Sequence, residues 1–214
     1  MDEFPFRNWR TAPDRVPKFF VVPRPPAAKL SAMPHYIAFL RGMNLGNRRI
    51  TMDRLRGHFE ELRFAEVTTF IASGNVIFSS KSADPRKLTE QIQQHLGKSL
   101  GYGVDTFLRT RSEVAAVAAF KPFAAADLAH PAHTIYVGFL AAALSPAQAR
   151  GLVACRTEID DFCVEGREYY WLCRTRSNES KVWASPALRA LKLPSSSMRN
   201  VTTVRKLAAL YKPA

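Results

Sequence analysis

The chain has 214 residues, of which 47% are hydrophobic and 23% are charged, a composition typical of a soluble globular protein. No apolar run approaches the ~18 residues that a membrane-spanning helix needs, which argues against an integral membrane protein. The formal net charge is +13 and the sequence pI is about 10.1, a balance that favours anionic partners and leaves the fold open.

Residues 1–32 differ from the rest of the chain because they contain six prolines and no helical or alternating pattern. We predict a disordered or loosely attached extension. Met33 directly precedes the first predicted strand and is a candidate natural start.

Residues 33–110 show the element order of a ferredoxin-like unit, β-α-β-β-α-β. The predicted elements are a strand His35–Arg41, a helix Met52–Arg63, two strands Val67–Ile71 and Val76–Ser80, a helix Asp84–Leu96 and a strand Tyr102–Arg109. The first strand is apolar on both faces, so both faces of its sheet should be covered, by the second half of the chain or by the linker helix.

A short helix, Ser112–Phe120, and a Pro/Ala/His loop make up a linker over residues 111–132, and a similar order follows in residues 133–214. The predicted elements are a strand Thr134–Leu140, a helix Ser145–Cys155, a hairpin of Asp161–Val164 and Tyr169–Cys173, a helix Asn178–Leu191 that Pro186 should split, and a helix Asn200–Tyr211. We therefore predict an α+β fold of two ferredoxin-like halves packed together, with no obvious residue-level repeat.

Two polar loops should meet at one edge of the first sheet. The loop Gly42–Ile50 follows the first strand, and the turn Ala72–Asn75 joins the second and third strands. Gly and Asn tolerate left-handed backbone conformations, and exposed N–H groups beside arginines can hold an anion. The candidate ligand-binding residues here are Arg41, Gly42, Asn44, Gly46, Arg48, Ser73, Gly74 and Asn75. The alternative is an ordinary pair of tight turns with solvated arginines.

The C-terminal region adds a second candidate anion site. No Asp or Glu follows Lys181, and Arg199 precedes a helix that Asn200 can cap. Free N–H groups at a helix N-terminus attract anions, so Arg199 and Asn200 join the candidate ligand-binding residues. The alternative is a solvated basic surface with an ordinary helix cap.

Three motifs, "YIAFLRGMN", "SGNVIF" and "RNVTTVRKL", resemble a bacterial family of uncharacterised proteins, domain of unknown function 1697. Its signature Y-x-x-L-R-G-[IM]-N, its S-G-N turn and its R-N pair are matched by Tyr36, Leu40, Arg41, Gly42, Asn44, Ser73, Gly74, Asn75, Arg199 and Asn200. The resemblance implies a two-part α/β fold of ferredoxin-like halves and no established activity. Arg63 departs from the family, where Gly is usual, and Val201 departs where Trp is common.

Motifs for catalysis, cofactors and metals are weak. His130 and His133 have metal-like spacing but lie in a proline-containing loop without a neighbouring carboxylate or thiol. Ser73 lacks the G-x-S-x-G context of a nucleophile. The three cysteines, Cys155, Cys163 and Cys173, form no CxxC pair, which argues for buried thiols in a reducing cytoplasm. We predict no cofactor and no metal site, and whether the protein is an enzyme stays open.

The function favoured by the sequence is anion binding by a cytoplasmic protein, with nucleic acid as the first candidate ligand, bound through a basic surface. The alternatives are an enzyme acting on a phosphorylated small molecule, with Arg41, Asn44, Asn75 and Arg199 as clamps, and a protein-interaction module. A steep fall of affinity with salt would separate the first hypothesis from the second. The oligomeric state cannot be predicted.

Overall fold

The computed structural model describes residues 33–43 and 49–213, which contain two four-stranded antiparallel sheets. The predicted extension, residues 1–32, lies outside the described residues. The strands are β1 His35–Leu40, β2 Ala65–Phe70, β3 Asn75–Ser79, β4 Thr106–Thr110, β5 Thr134–Phe139, β6 Asp160–Glu165, β7 Glu168–Cys173 and β8 Ser197–Asn200. The helices are α1 Met52–Glu61, α2 Pro85–Leu100, α3 Arg111–Ala119, α4 Ala125–Ala129, α5 Pro146–Ala154, α6 Pro186–Ala190 and α7 Val201–Leu210.

The two sheets have equivalent strand orders, β2-β3-β1-β4 and β6-β7-β5-β8, so the α+β fold of two ferredoxin-like halves is confirmed. Each half also ends in a helix that directly follows its last strand, α3 after β4 and α7 after β8. Each of these helices begins at a polar cap: the Thr110 hydroxyl accepts from Glu113 N–H, and the Asn200 side chain accepts from Thr202 N–H. Such caps satisfy backbone donors that lack a helical partner.

The core consists of three apolar layers, and the middle layer joins the two halves. The outer face of the first sheet packs against α1 and α2, around Leu55, Phe59 and Ile92. The inner faces of both sheets pack on each other and on α3 and α7. The outer face of the second sheet is covered by α5, α6 and a short 3₁₀ helix, Val182–Ala184. Both faces of β1 are thus buried, as its two-sided apolar pattern predicted, and both the second half and the linker helix take part.

The structure departs from prediction in three places after residue 110. Ser197–Asn200, for which no strand was predicted, forms the fourth strand β8, which pairs with β5. Pro186 splits the predicted helix Asn178–Leu191, as expected, because it lacks the N–H that a continuous helix needs and instead starts α6; the part before it is reduced to the 3₁₀ helix. The linker contains an additional short helix, α4. Among the described residues, none of the helices has the length and apolarity to span a membrane.

Helix α1 is followed by a left-handed residue at the position where the resembling family usually has Gly. Arg63 has φ 61°, its N–H donates to Glu60 O at 2.8 Å, and Phe64 N–H donates to Phe59 O at 3.4 Å. The rings of Phe59 and Phe64 are in contact, with centroids 6.0 Å apart. This is the Schellman arrangement, in which glycine normally occupies the left-handed position.

Arg63→Gly is expected to stabilise the protein by up to ~1 kcal/mol, because Gly adopts positive φ without a Cβ clash. Urea unfolding monitored by circular dichroism would measure the change. The opposite substitution at Gly101, which ends α2 with φ 76°, is the matched control: Gly101→Arg should destabilise. A clear loss of stability in Arg63→Gly would mean that the Arg63 side chain makes a stabilising contact.

Candidate functional site

The end of β1 and the turn between β2 and β3 meet at one sheet edge, as predicted. Leu40 N–H donates to Gly74 O at 2.8 Å, and Gly74, with φ 73°, lies against Met43. A Cβ added at Gly74 would be 2.8 Å from Met43 Cγ, so a larger residue does not fit there. The predicted loop residues Asn44, Gly46 and Arg48 lie outside the described residues, and their role stays a prediction.

Arg199 lies at the centre of this meeting point and is buried, with 9% of its surface exposed. Its Nε donates to Asn75 Oδ1 at 2.6 Å. Its Nη1 donates to Ser197 Oγ at 2.9 Å and Met198 O at 2.8 Å. Its Nη2 donates to the carbonyl oxygens of Leu40, Ser73 and Gly74, at 2.8, 2.6 and 3.3 Å. We define the Arg199 cluster as Arg199 together with these acceptors.

The Arg199 cluster argues against a free anion site at Arg199, Ser73, Gly74 and Asn75, whose ligand-binding role stays a prediction. The fold brings the four residues together, but all five N–H groups of the guanidinium are directed at protein acceptors. None of those acceptors is a carboxylate, and burial lowers the pKa of Arg199 to about 10, so the side chain stays charged at neutral pH. Asn200 is likewise occupied, as the cap of α7.

A second buried arginine occupies the equivalent position of the first half. Arg109 pairs with Ile37 of β1, as Arg199 pairs with Val137 of β5. Its Nη2 donates to Leu140 O at 2.8 Å and Arg167 O at 3.0 Å, and its Nε donates to Glu168 Oε1 at 2.5 Å. Each arginine therefore reaches across to the other half, where it binds the end of the first strand, the hairpin turn and the first residue of the third strand.

Two phenylalanines lie between the arginines. The rings of Phe39 and Phe139 stack face to face, with centroids 3.8 Å apart. The guanidinium carbon of Arg199 is 5.9 Å from the Phe39 ring centre, and that of Arg109 is 5.5 Å from the Phe139 ring centre, both within cation–π range. The two halves are thus joined by a pseudo-symmetric contact that the separate sequence motifs did not reveal.

Arg41 is the described member of the predicted site that faces solvent. Its side chain is 56% exposed, and its Nη1 is 3.6 Å from Asp105 Oδ2. Arg41 therefore already has an acidic partner at this edge. Asp105 also lines a groove of about 430 Å³ between the halves, together with Arg86, Arg109 and Arg167. Gly42, beside Arg41, has φ 75°.

The turn beside the Arg199 cluster contains a strained apolar residue. Ile71 has φ 51° and is 51% exposed. A β-branched side chain in the left-handed region costs conformational energy, and such strain is found at functional sites as well as at tight turns. Ile71 and Arg41 are thus both exposed to solvent at this edge.

The outer helical layer of the second half carries a positively charged surface. The sequence had indicated this surface only through its charge. We define the basic face as the exposed cations of this layer that form no ion pair with another described residue: Arg150, Arg156, Lys181, Arg189 and Lys192. Helix α5 contacts the segment that directly follows α6, since Gln148 Nε2 donates to Leu191 O at 3.4 Å and to Lys192 O at 3.3 Å. Neither helix contains an acidic residue.

Two cavities connect parts of the basic face. Arg156 and Lys181 line one cavity of about 750 Å³, which Glu158 and Glu179 also line. Arg150 and Arg156 line a second cavity of about 450 Å³. The absence of Asp and Glu from the C-terminal region was the sequence signal for this surface. The sequence did not show that Arg150 on α5 belongs to it, because α5 and α6 are far apart along the chain.

The histidine pair in the linker lies beside the carboxylate of Asp127, whose Oδ1 is 3.3 Å from His133 Nδ1. The rings of His130 and His133 are stacked, with centroids 3.9 Å apart. The nearby carboxylate of Asp127 is held by Arg174, whose Nε and Nη2 donate to it at 3.1 and 3.2 Å. All three cysteines are free, and Cys173 is buried.

Comparison with known proteins identifies a family and one structural neighbour for the chain. Residues 33–170 match the family model "Protein of unknown function (DUF1697)". No curated protein matches the sequence. A solved structure, the conserved bacterial protein SP0830 from Streptococcus pneumoniae, is 20% identical, with a TM-score of 0.65 over 85% of this chain and 100% of that chain, a likeness that shows the fold alone. Because the family model covers most of the described residues, the chain belongs to the DUF1697 family of proteins of unknown function.

Proposed function

We propose that the protein binds a polyanion, with nucleic acid as the first candidate, through the basic face. The observation that carries the proposal is the concentration of exposed cations without ion-pair partners on the outer layer formed by α5, the 3₁₀ helix and α6. Elsewhere many arginines are already engaged: Arg41, Arg109 and Arg174 all have carboxylate partners. Arginine and lysine side chains without a carboxylate partner are available to bind the phosphate groups of a nucleic acid.

The fold limits how nucleic acid could be recognised. Ferredoxin-like domains that bind RNA stack bases on aromatic residues of an open sheet face. Here the inner faces of both sheets are packed together around Phe39 and Phe139, and the outer faces are covered by helices. Binding would therefore use contacts from helices and loops to the phosphate backbone, which are largely independent of base sequence.

Removing two charges from the basic face is expected to weaken oligonucleotide binding and to make the affinity less dependent on salt concentration. In R189Q/K192Q, the slope of log affinity against log salt for a single-stranded oligonucleotide should fall by about 1.4, at ~0.7 for each phosphate that the variant no longer neutralises. Fluorescence anisotropy with a labelled oligonucleotide, repeated at several salt concentrations, would measure this slope.

The matched control removes the same charge from the opposite outer layer. Arg54 on α1 and Lys87 on α2 are exposed, so R54Q/K87Q lowers the net charge equally while leaving the basic face intact. Its salt slope should stay close to that of the unmodified protein. Equal losses in both double variants would show binding to net charge alone and would overturn the assignment of the surface.

A phosphorylated small molecule is a second candidate ligand, favoured by the groove between the halves. Ligand sites often lie at such junctions, and Arg86 faces this groove without an ion-pair partner among the described residues. Asn75 and Arg199, two of the clamps predicted from the sequence, would contribute only by shaping the edge beside Arg41. A small phosphorylated ligand would give a shallow salt slope, which the same titrations would show.

A further inference from the structure

Three potential metal ligands converge on the outer side of the first half. His58 and Glu61 lie one turn apart on α1, and His95 lies on the neighbouring helix α2. His95 Nε2 is 3.3 Å from His58 Nδ1 and 3.1 Å from Glu61 Oε2. His58 Nδ1 is 3.5 Å from the same oxygen. The three atoms form a nearly equilateral triangle.

The size of this triangle fits one face of a tetrahedral zinc site. Bonds of about 2.0–2.1 Å to nitrogen and oxygen place neighbouring ligand atoms about 3.3–3.4 Å apart. We propose that His58, Glu61 and His95 bind a divalent transition-metal ion of the Zn²⁺ type. Two imidazoles and one carboxylate form a ligand set that such ions prefer, whereas Mg²⁺ and Ca²⁺ prefer oxygen ligands.

Packing fixes the direction of the His58 ring. The residue is 8% exposed, and its Nε2 is buried without a hydrogen-bond partner among the described residues, so Nδ1 is the ring nitrogen directed at Glu61 and His95. The two nitrogens of the triangle carry at most two protons for the carboxylate oxygen to accept, and two protonated nitrogens cannot also bond to each other. At least one edge of the triangle is therefore not a hydrogen bond, whereas a cation would bind each atom.

The fourth coordination position of the proposed ion lies on the accessible side of the triangle, toward solvent. The Glu61 side chain is 61% exposed and that of His95 is 22% exposed, so an ion could enter without unfolding the helices. Three protein ligands and one open position resemble zinc sites that retain a bound water. The cluster has no recognisable spacing in the sequence, because its members come from two helices.

The experiment uses the full chain without a histidine tag, first treated with a chelator. Isothermal titration with Zn²⁺ should give one site per chain, Zn²⁺ should raise the melting temperature, and Mg²⁺ should leave it unchanged. Co²⁺ in place of Zn²⁺ should give the visible absorption of a four-coordinate ion. H95Q and E61Q should each weaken Zn²⁺ binding by ~10-fold or more, since even outer-shell partners of a metal are worth ~10–100-fold.

H133Q is the matched control, because it removes a histidine from the other pair. Its Zn²⁺ affinity should equal that of the unmodified protein. The proposal is overturned if the unmodified protein binds no Zn²⁺, or if H95Q and E61Q bind as tightly as H133Q or more tightly. E61Q alters a largely exposed side chain, so it tests the site even if H95Q fails to fold.

Discussion

Arg199→Met is expected to destabilise the protein by about 3–5 kcal/mol, because it leaves several buried acceptors without their donor. Methionine retains much of the apolar stem but donates no hydrogen bond. The carbonyl oxygens of Ser73 and Met198 and the amide oxygen of Asn75 would lose the Arg199 donor inside the contact between the halves. Leu40 O would keep only the hydrogen bond from Ser197 Oγ. Each buried acceptor left unpaired costs about 1–3 kcal/mol.

Arg41→Met is the matched control for this prediction. It makes the same chemical change one residue after Leu40, but the Arg41 side chain is 56% exposed and its ion pair measures 3.6 Å. Solvent-exposed pairs of this kind contribute about 0–1 kcal/mol. Urea unfolding of both variants would measure the difference. If Arg199→Met were as stable as Arg41→Met, the Arg199 cluster would not hold the halves together, and Arg199 would return as a candidate ligand contact.

The motifs that resemble the family therefore meet in a contact between the two halves. The sequence suggested Arg41, Asn75 of the S-G-N turn and Arg199 as clamps for one ligand. In the structure, the turn and Arg199 are in direct contact. The sequence indicated Arg199 as an anion ligand because it precedes a helix N-terminus in a region without carboxylates. Carbonyl oxygens and Asn75 satisfy the guanidinium instead, and sequence periodicity carries no information about such long-range backbone contacts.

Local patterns were sufficient to predict most elements of the fold. Apolar residues spaced by three and four defined α1 and α2, and apolar strands between turn residues defined β1 and β3. Strand β8 was missed because "SMRN" has no β-branched or aromatic residue and only four positions. Its strand conformation depends on pairing with β5 and on the contacts of Arg199, both of which are distant in sequence.

The internal repeat was hidden by unequal connections. Phe39 corresponds to Phe139, Asn75 to Glu168, and Arg109 to Arg199, so the separation of equivalent residues decreases along the chain. The second half is shorter because α6 replaces the long helix α2. A search at one fixed period cannot align such halves. The register of the strands aligns them directly, because cross-strand pairing is independent of loop length.

Gly138→Ala is expected to destabilise the protein by about 2–4 kcal/mol, combining overpacking with the loss of a hydrogen bond. Gly138 pairs with Tyr169 across β5 and β7, and the tyrosine ring lies over the glycine. An added Cβ would be 2.0 Å from Tyr169 Cζ, so the buried ring would have to move. That movement would also break the 2.8 Å hydrogen bond between the Tyr169 hydroxyl and Ser196 Oγ.

A double-mutant cycle attributes this loss of stability to the ring. Leucine at position 169 lacks the atoms that would clash, so Gly138→Ala should cost little in a Tyr169→Leu background. Gly57→Ala, in the interior of α1, is the control for the substitution itself: no atom outside its own helix lies within 4 Å of the added Cβ, and alanine should stabilise that helix by ~1 kcal/mol. Urea unfolding of the four proteins of the cycle would give the coupling energy. If Gly138→Ala were equally costly in both backgrounds, contact with Tyr169 would not be what requires glycine there, and the strain would lie in the backbone of β5.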